Sequence, residues 1–409
     1  MKHSSRILLA AALLALSGLA TGIWLLRPAP AALPHDAYIW QRQWNEPLRE
    51  AIAESRAQIR SWRVLLAQAD QTGVFRNASL EAPPLAASGR PVIGVIRIEG
   101  QIANFDESRL VAGIRATLDA ARDKGLRLAG VEIDHDCASA KLPRYAAFLA
   151  RLRAELPAAR PLAITALPAW LDAPGLPAVL AQTDEAVLQV HAVSNPQSGL
   201  FEPRRALGWV ERFSRLSPVP FRVALPAYGS QLRFDAFGNL AGVESEMPLL
   251  GAAGRREEMI VAPRDVQRLL RELQAHPPAR LTGFAWFRLP TGEDRRSWQP
   301  ATWRAVLRDE TLAEAVTLSA RTSADPQLFD LVVHNPATTD VPLPARITLP
   351  AACTLADGTN GYAFLAGTQD KPALLRAQSG LLRPGHELVI GWARCPYNPE
   401  SDLHAQPQP

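Results

Sequence analysis

Eight short apolar runs, separated by stretches with helical periodicity, constrain this chain more than any other feature of its sequence. They are Tyr38–Gln41, Arg63–Ala67, Val92–Ile98, Ala129–His135, Leu162–Ala166, Ala186–His191, Phe221–Pro226 and Gly283–Arg288. Near-continuous apolar runs of this length suit parallel strands covered on both faces. Between them, Leu110, Val111, Ile114 and Leu118 form one stripe, and Tyr145, Phe148, Leu149 and Leu152 another. Val266, Leu269, Leu270 and Leu273 fit the spacing i, i+3, i+4, i+7 of a core-facing helix. Asn45 before Glu46-Pro47, and Ser139 before Pro143, read as helix starts. Strands alternating with helices over residues 36–311 predict a (β/α)8 TIM-like barrel, a fold of about 250 residues. Gln68 to Arg90 shows no helical stripe, which keeps an open doubly wound sheet as the alternative.

Beyond residue 312 the period changes. Val316–Ser319, Asp330–Val333, Arg346–Leu349 and Glu387–Ile390 are short strand-like segments between Pro, Gly and Asn turns. They predict a small all-β sandwich over 312–397, followed by a loose tail at 398–409. Cys353 and Cys395 bracket a β-rich stretch within this region and are expected to form a disulfide if the chain leaves the cytoplasm. No His–Cys motif surrounds Cys137, so it reads as a buried thiol.

Export itself is expected from residues 1–27. Lys2 and Arg6 precede an uncharged run from Ile7 to Leu26, and Arg27 follows it. Twenty apolar residues in a helix rise about 30 Å, enough to span a bilayer. The flanking charges orient the remainder outward. The segment is either a retained inner-membrane anchor through residues 7–26 or a signal peptide cleaved near Ala29-Pro30-Ala31, releasing the body to the periplasm. No Cys stands at the end of the run to take a lipid. Residues 28–35 are a Pro/Ala linker.

A formal net charge of +4 without a dense basic patch gives no support to a nucleic-acid partner. The chemistry is concentrated in Val131-Glu132-Ile133-Asp134-His135-Asp136. On a strand, Val131 and Ile133 would face the helices, while Glu132, Asp134 and Asp136 would face the barrel interior about 7 Å apart. Asp136 would sit at the C-terminal end, where barrel active sites are built. Crowded carboxylates push one another's proton affinity upward, so one of them could act as an acid. The plainer reading is a filled core in which Arg or Lys neutralises the acids. His135 points away from Asp134 and Asp136, and no second His pair occurs at ligand spacing, so neither a metal nor another cofactor is expected. Ten Trp and 35 Pro fit sugar-binding clefts, but Trp also serves packing alone.

Ala129-Gly130-Val131-Glu132-Ile133-Asp134-His135-Asp136 resembles the fourth-strand signature of the family 18, chitinase-like glycoside hydrolases, Asp-Gly-x-Asp-x-Asp-x-Glu. Pro226-Ala227-Tyr228-Gly229 resembles their seventh-strand Pro-x-Tyr-Gly, and Gly283-Phe284-Ala285-Trp286 their eighth strand, which ends in a Trp beneath the sugar. The whole chain is also similar to a bacterial family known as domain of unknown function 3142. The chitinase-like resemblance implies Asp136 as general acid, Asp134 as its partner and Glu132 below them. It also implies Trp286 as sugar platform. At the family's sixth-strand Met-x-Tyr-Asp this chain has Gln189-Val190-His191-Ala192, with His191 in the place of the Tyr donor. Asp replaces the terminal Glu and Ala129 the first Asp.

Trp40 and Gln41 end the first strand and Glu99 the third, on the face expected to be active. Glu99 opposite Asp136 would complete an acid–base pair, and Tyr228 either packs or donates to a sugar hydroxyl. Arg233 to Glu246 is either a hairpin flap over the cleft or a surface excursion. The expectation is an exported glycoside-hydrolase-like barrel that acts on or binds an envelope or extracellular polysaccharide. A non-catalytic glycan-binding or structural envelope protein is the alternative.

Overall fold

The structure, a computed structural model, describes residues 32–102, 105–191, 199–244, 255–366 and 371–407. Residues 1–31, which include the apolar segment from Ile7 to Leu26, lie outside them. No helix among the described residues is long and apolar enough to cross a membrane.

Strand β1 (His35–Ile39) pairs in parallel with β2 (Ile59–Ala69), which carries β3 (Phe75–Asn77) as an antiparallel hairpin at its end. Parallel pairing continues from β2 through β4 (Val92–Ile98), β5 (Leu128–His135), β6 (Leu162–Ala166), β7 (Glu185–Gln189) and β8 (Phe221–Pro226). An excursion follows β8. It is a three-stranded antiparallel sheet of β9 (Ser230–Phe234), β10 (Leu240–Glu244) and β11 (Arg256–Met259). The chain returns as β12 (Leu281–Phe287), which pairs with both β8 and β1. That last pairing closes an eight-stranded parallel barrel, so the open sheet is excluded.

The helical stripes face the barrel as their spacing requires. Leu110, Val111, Ile114 and Leu118 are buried on the helix Glu107–Asp123, and Val266, Leu269, Leu270 and Leu273 on Pro263–Ala275. Asn45 caps its helix by accepting from the Leu48 amide at 3.3 Å. Within 68–90 the chain forms the hairpin with β3 and one short helix, Ala82–Ser88. That helix has Pro in its first turn and buries only Leu85 and Ser88. It has too few apolar positions to show a stripe. Five of the ten Trp (Trp62, Trp170, Trp286, Trp298 and Trp303) are wholly buried packing residues.

The C-terminal region forms two four-stranded antiparallel sheets and a two-stranded one. Phe329, Leu331, Val333, Ile347, Leu374 and Ile390 lie in its core. The tail is more ordered than expected, because His404–Gln406 pairs with Arg346–Thr348 as a sheet strand. Asp340 joins this region to the barrel by accepting from the Gln299 amide at 2.8 Å and donating its own amide to Thr302 Oγ1 at 2.7 Å. A disulfide links Cys353 and Cys395, 42 residues apart. Closing a loop of that length constrains the unfolded chain by roughly 3–4 kcal/mol. Cys353→Ser is therefore expected to lower the melting temperature and to abolish its sensitivity to reductant. An unchanged melting curve in reductant would contradict this.

Candidate functional site at the barrel mouth

The barrel interior is built in tiers, because register partners in a parallel sheet share a face. In the lowest tier Arg63 donates to Asp36 at 3.0–3.1 Å and also pairs with Glu132 and Glu185. Arg222 bridges Glu185 at 3.0 Å and Asp36 at 3.2 Å. Glu132 additionally accepts from the Tyr38 hydroxyl and, at 3.0 Å, from Thr165 Oγ1. Burial pushes the Glu132 carboxyl upward while Arg63 pulls it down. Glu132, expected to line the site, is thus sealed in a neutralised core, because Arg63 projects inward from β2 in register with Tyr38.

The middle tier is apolar: Tyr38, Leu65, Val95, Val187, Ala224 and Ala285, with Trp40 and Phe287 above it. Trp40 and Phe287 meet edge to face at 5.2 Å. Phe287 faces inward after Ala285, whereas Trp286 aligns with Leu225 and Ala37 on the outer side. Trp286 is 0 % exposed, donates to His35 Nδ1 at 3.0 Å and packs against Trp298 and Trp303. It is not a sugar platform. The residue one position later, Phe287, holds the corresponding place on the inner face.

Two of the three predicted carboxylates do meet at the mouth. Arg97, on β4 in register with Asp134, donates to Asp134 Oδ2 at 2.6 Å and to Asp136 Oδ2 at 3.2 Å. Asp134 is nearly closed off, but the Asp136 side chain is 32 % exposed. Asp136 Oδ1 is buried and has no hydrogen-bond partner among the described residues. Burial and the neighbouring Asp134 charge raise Asp136 from its usual 3.8 to about 6 against the pull of Arg97, and the Glu99 charge adds to the rise. Glu99 is half-buried just past the end of β4. Gly100 follows it, and a Cβ there would stand 2.1 Å from the Asp136 carbonyl oxygen.

Across the mouth, His191 is 3 % exposed, and its Nδ1 lies 3.2 Å from the Tyr228 hydroxyl. Its ring stacks on Phe287 at 5.8 Å. Burial lowers its pKa to about 3, so it is neutral, and its Nε2 has no partner among the described residues. Gln189 donates to the His191 carbonyl at 2.7 Å and so fixes the local backbone. Ala192 and residues 245–254 lie outside the described residues. The segment from Arg233 is a hairpin of β9 and β10 as far as Glu244.

Sequence reasoning missed Arg97, Phe287 and a cavity of about 420 Å³ lined by Arg42, Leu65, Gln68, Asp70, Arg76 and Asn77. Leu65 belongs to the interior tier beside Trp40, which places this cavity at the β2–β3 side of the mouth. Cys137 is buried and unbridged, and burial raises its thiol to about 11.

A closed (β/α)8 barrel with paired acids, a neutral His–Tyr pair and aromatic rings at its C-terminal mouth has the layout of a ligand-binding or catalytic barrel. The chain belongs to the family described as Domain of unknown function (DUF3142), which matches residues 88–292, and residues 318–396 match Domain of unknown function (DUF8456). No curated protein sequence matches it. Among solved structures it is similar in chain course to the Bacillus cereus spore cortex-lytic enzyme SleL, at 15% identity and a TM-score of 0.48, over 69% of this chain and 75% of that one. It is likewise similar to a chitinase from Chromobacterium violaceum, at 15% identity and 0.47, over 68% and 98%. A third, chitinase ChiA74 from Bacillus thuringiensis, is 10% identical with a TM-score of 0.43, over 90% and 98%.

Proposed function

We propose that the barrel mouth is a saccharide cleft for an envelope or extracellular polysaccharide, in which Asp136 delivers a proton to a glycosidic oxygen. The observation that carries this reading is the Asp136 carboxyl, which is partly exposed at a strand end and holds its proton to about pH 6. General acids work best when their proton affinity lies near the working pH. Neutral His191, Tyr228 and the Phe287 and Trp40 rings supply the hydrogen-bonding and apolar surfaces that a sugar presents itself to. The resemblance of the Glu132–Asp136 stretch to the chitinase-like signature supports the same chemistry. Asp134 is held by Arg97 and supplies negative charge beside Asp136.

Placement outside the cytoplasm, anchored in the inner membrane or released to the periplasm, is part of the same reading. It draws support from the Ile7–Leu26 segment and from the Cys353–Cys395 bridge, a linkage typical of oxidising compartments.

A second reading, a glycan-binding protein without hydrolysis, is favoured by one observation. Arg97 contacts both Asp134 and Asp136 and stabilises the ionised acid that a proton donor must not be. Both readings are tested by offering the chain peptidoglycan and β-linked oligosaccharides. Wild type should turn over a glycan at a rate that falls about tenfold per pH step above 6, and Asp136→Asn should lose about 10²–10⁴-fold. Binding that survives Asp136→Asn and weakens in Phe287→Ala, without turnover, selects the second reading. Absence of any saccharide binding eliminates both.

A further inference from the structure

We propose that a second pocket, on the outer side of strand β5, binds a small oxyanion that still carries a proton, with monohydrogen phosphate as the simplest example. The pocket measures about 150 Å³ and is lined by Ile102, Phe105, His135, Lys141, Arg144 and Tyr145. At about 30 Å³ per liquid water, that is room for a four-oxygen anion. It is separate from the barrel mouth, because His135 alternates with Asp134 and Asp136 and points to the opposite face of the strand.

Two cations border it without a carboxylate partner among the described residues. Lys141 Nζ donates only to the Gly100 carbonyl, at 3.2 Å. Arg144 donates to the Phe105 carbonyl and lies 5.1 Å over the Phe105 ring, which leaves most of its donors free. Both sit at the start of the helix Leu142–Glu155 and bring their charges to the same side of the pocket.

The third polar group makes the pocket selective. His135 is 1 % exposed and held between Phe105 at 5.3 Å and Tyr145 at 5.0 Å. Its Nδ1 lies 3.1 Å from the Ile98 carbonyl. A carbonyl only accepts, so Nδ1 carries the ring proton and Nε2 presents a bare lone pair. That Nε2 has no hydrogen bond among the described residues. An anion stripped of protons would set oxygen lone pairs against it. An anion with an X–OH group donates to Nε2 while its charged oxygens meet Lys141 and Arg144. At neutral pH phosphate keeps such a proton and sulfate does not. The inference stands apart from the saccharide reading, and failure of either leaves the other untouched.

The test is calorimetric titration of the full chain with inorganic phosphate and, separately, sulfate at neutral pH and fixed ionic strength. Phosphate is expected to bind at least about tenfold more tightly than sulfate, the order of one charge-assisted hydrogen bond. Lys141→Ala and Arg144→Ala, both at exposed positions, should each weaken phosphate about tenfold with the ligand-free melting temperature unchanged. His135→Phe should erase the preference over sulfate, and if that variant does not fold the two surface variants decide alone. Equal affinity for the two ions overturns the proton-accepting role. Undiminished phosphate binding in both surface variants overturns the location, and no binding of phosphate up to about 10 mM overturns the site.

Discussion

Arg63→Met is expected to destabilise the folded chain by about 3–5 kcal/mol, the usual consequence of removing one partner from a buried ion cluster. Arg63 is completely buried and is the counter-charge shared by Asp36, Glu132 and Glu185. Arg222 still reaches Asp36 and Glu185 in the variant, but Glu132 loses the one cation that pairs with it among the described residues. Burying a carboxylate with hydrogen bonds alone forces it to take up a proton or drives the chain toward unfolding. Arg63→Met combined with Glu132→Gln should recover much of the loss. The amide oxygen can still accept from Tyr38 and Thr165, which now donate to Glu132 Oε1. Urea denaturation of wild type, both single variants and the double variant measures the coupling. A single-variant loss below about 1 kcal/mol would show that the cluster does not hold the barrel floor together.

The second large effect is acid lability. Burial lowers His35 to about 4, with the Arg222 charge adding to it, and lowers His191 to about 3. Both values lie below the unfolded value near 6.5, so the unfolded chain binds more protons between about pH 6.5 and pH 3. The stability these residues contribute is complete above pH 6.5 and is lost as pH falls. At about 1.4 kcal/mol for each tenfold change in proton affinity, His35 alone accounts for on the order of 3 kcal/mol by pH 4. Asp136 works the other way. Its raised carboxyl gains a proton in the folded state first, so it offsets part of the loss as pH falls from about 6 toward 4. The net expectation is a melting temperature that drops steeply between pH 6.5 and 4, and less steeply in His35→Gln, whose amide oxygen can still accept from Trp286. A flat profile across that range would contradict neutral burial of these rings.

The barrel was legible because buried parallel strands read as apolar runs and their helices carry stripes. What escaped notice depended on register across strands. Arg97 looks like an interruption in Val92–Ile98 until β4 is aligned with β5, which sets it beside Asp134. Asp36, Arg63, Glu185 and Arg222 are likewise charged residues inside strands, tolerable only because they neutralise one another. On the eighth strand the inward ring stands one residue later than the sequence suggests. Trp286 was the more conspicuous ring, but the alternation of Gly283, Ala285 and Phe287 puts Phe287 inside. The small residues at 283 and 285 were the available signal. Gly283 leaves the space that the Arg222 guanidinium fills. Glu132, Asp134 and Asp136 stand together in the sequence, yet Glu132 meets Arg63 in the closed core while Asp134 and Asp136 share Arg97, and only Asp136, just past the end of β5, is partly exposed.

Anyone wishing to retailor the mouth for a different ligand would turn first to its side chains, but at position 100 the constraint comes from the backbone. The Asp136 carbonyl occupies the space a methyl group would need, so two loops touch there backbone to backbone. The backbone that carries the acid is therefore constrained in part by a residue that offers no functional group at all. A side chain at position 100 would displace the Asp136 backbone whatever residues surround the carboxyl.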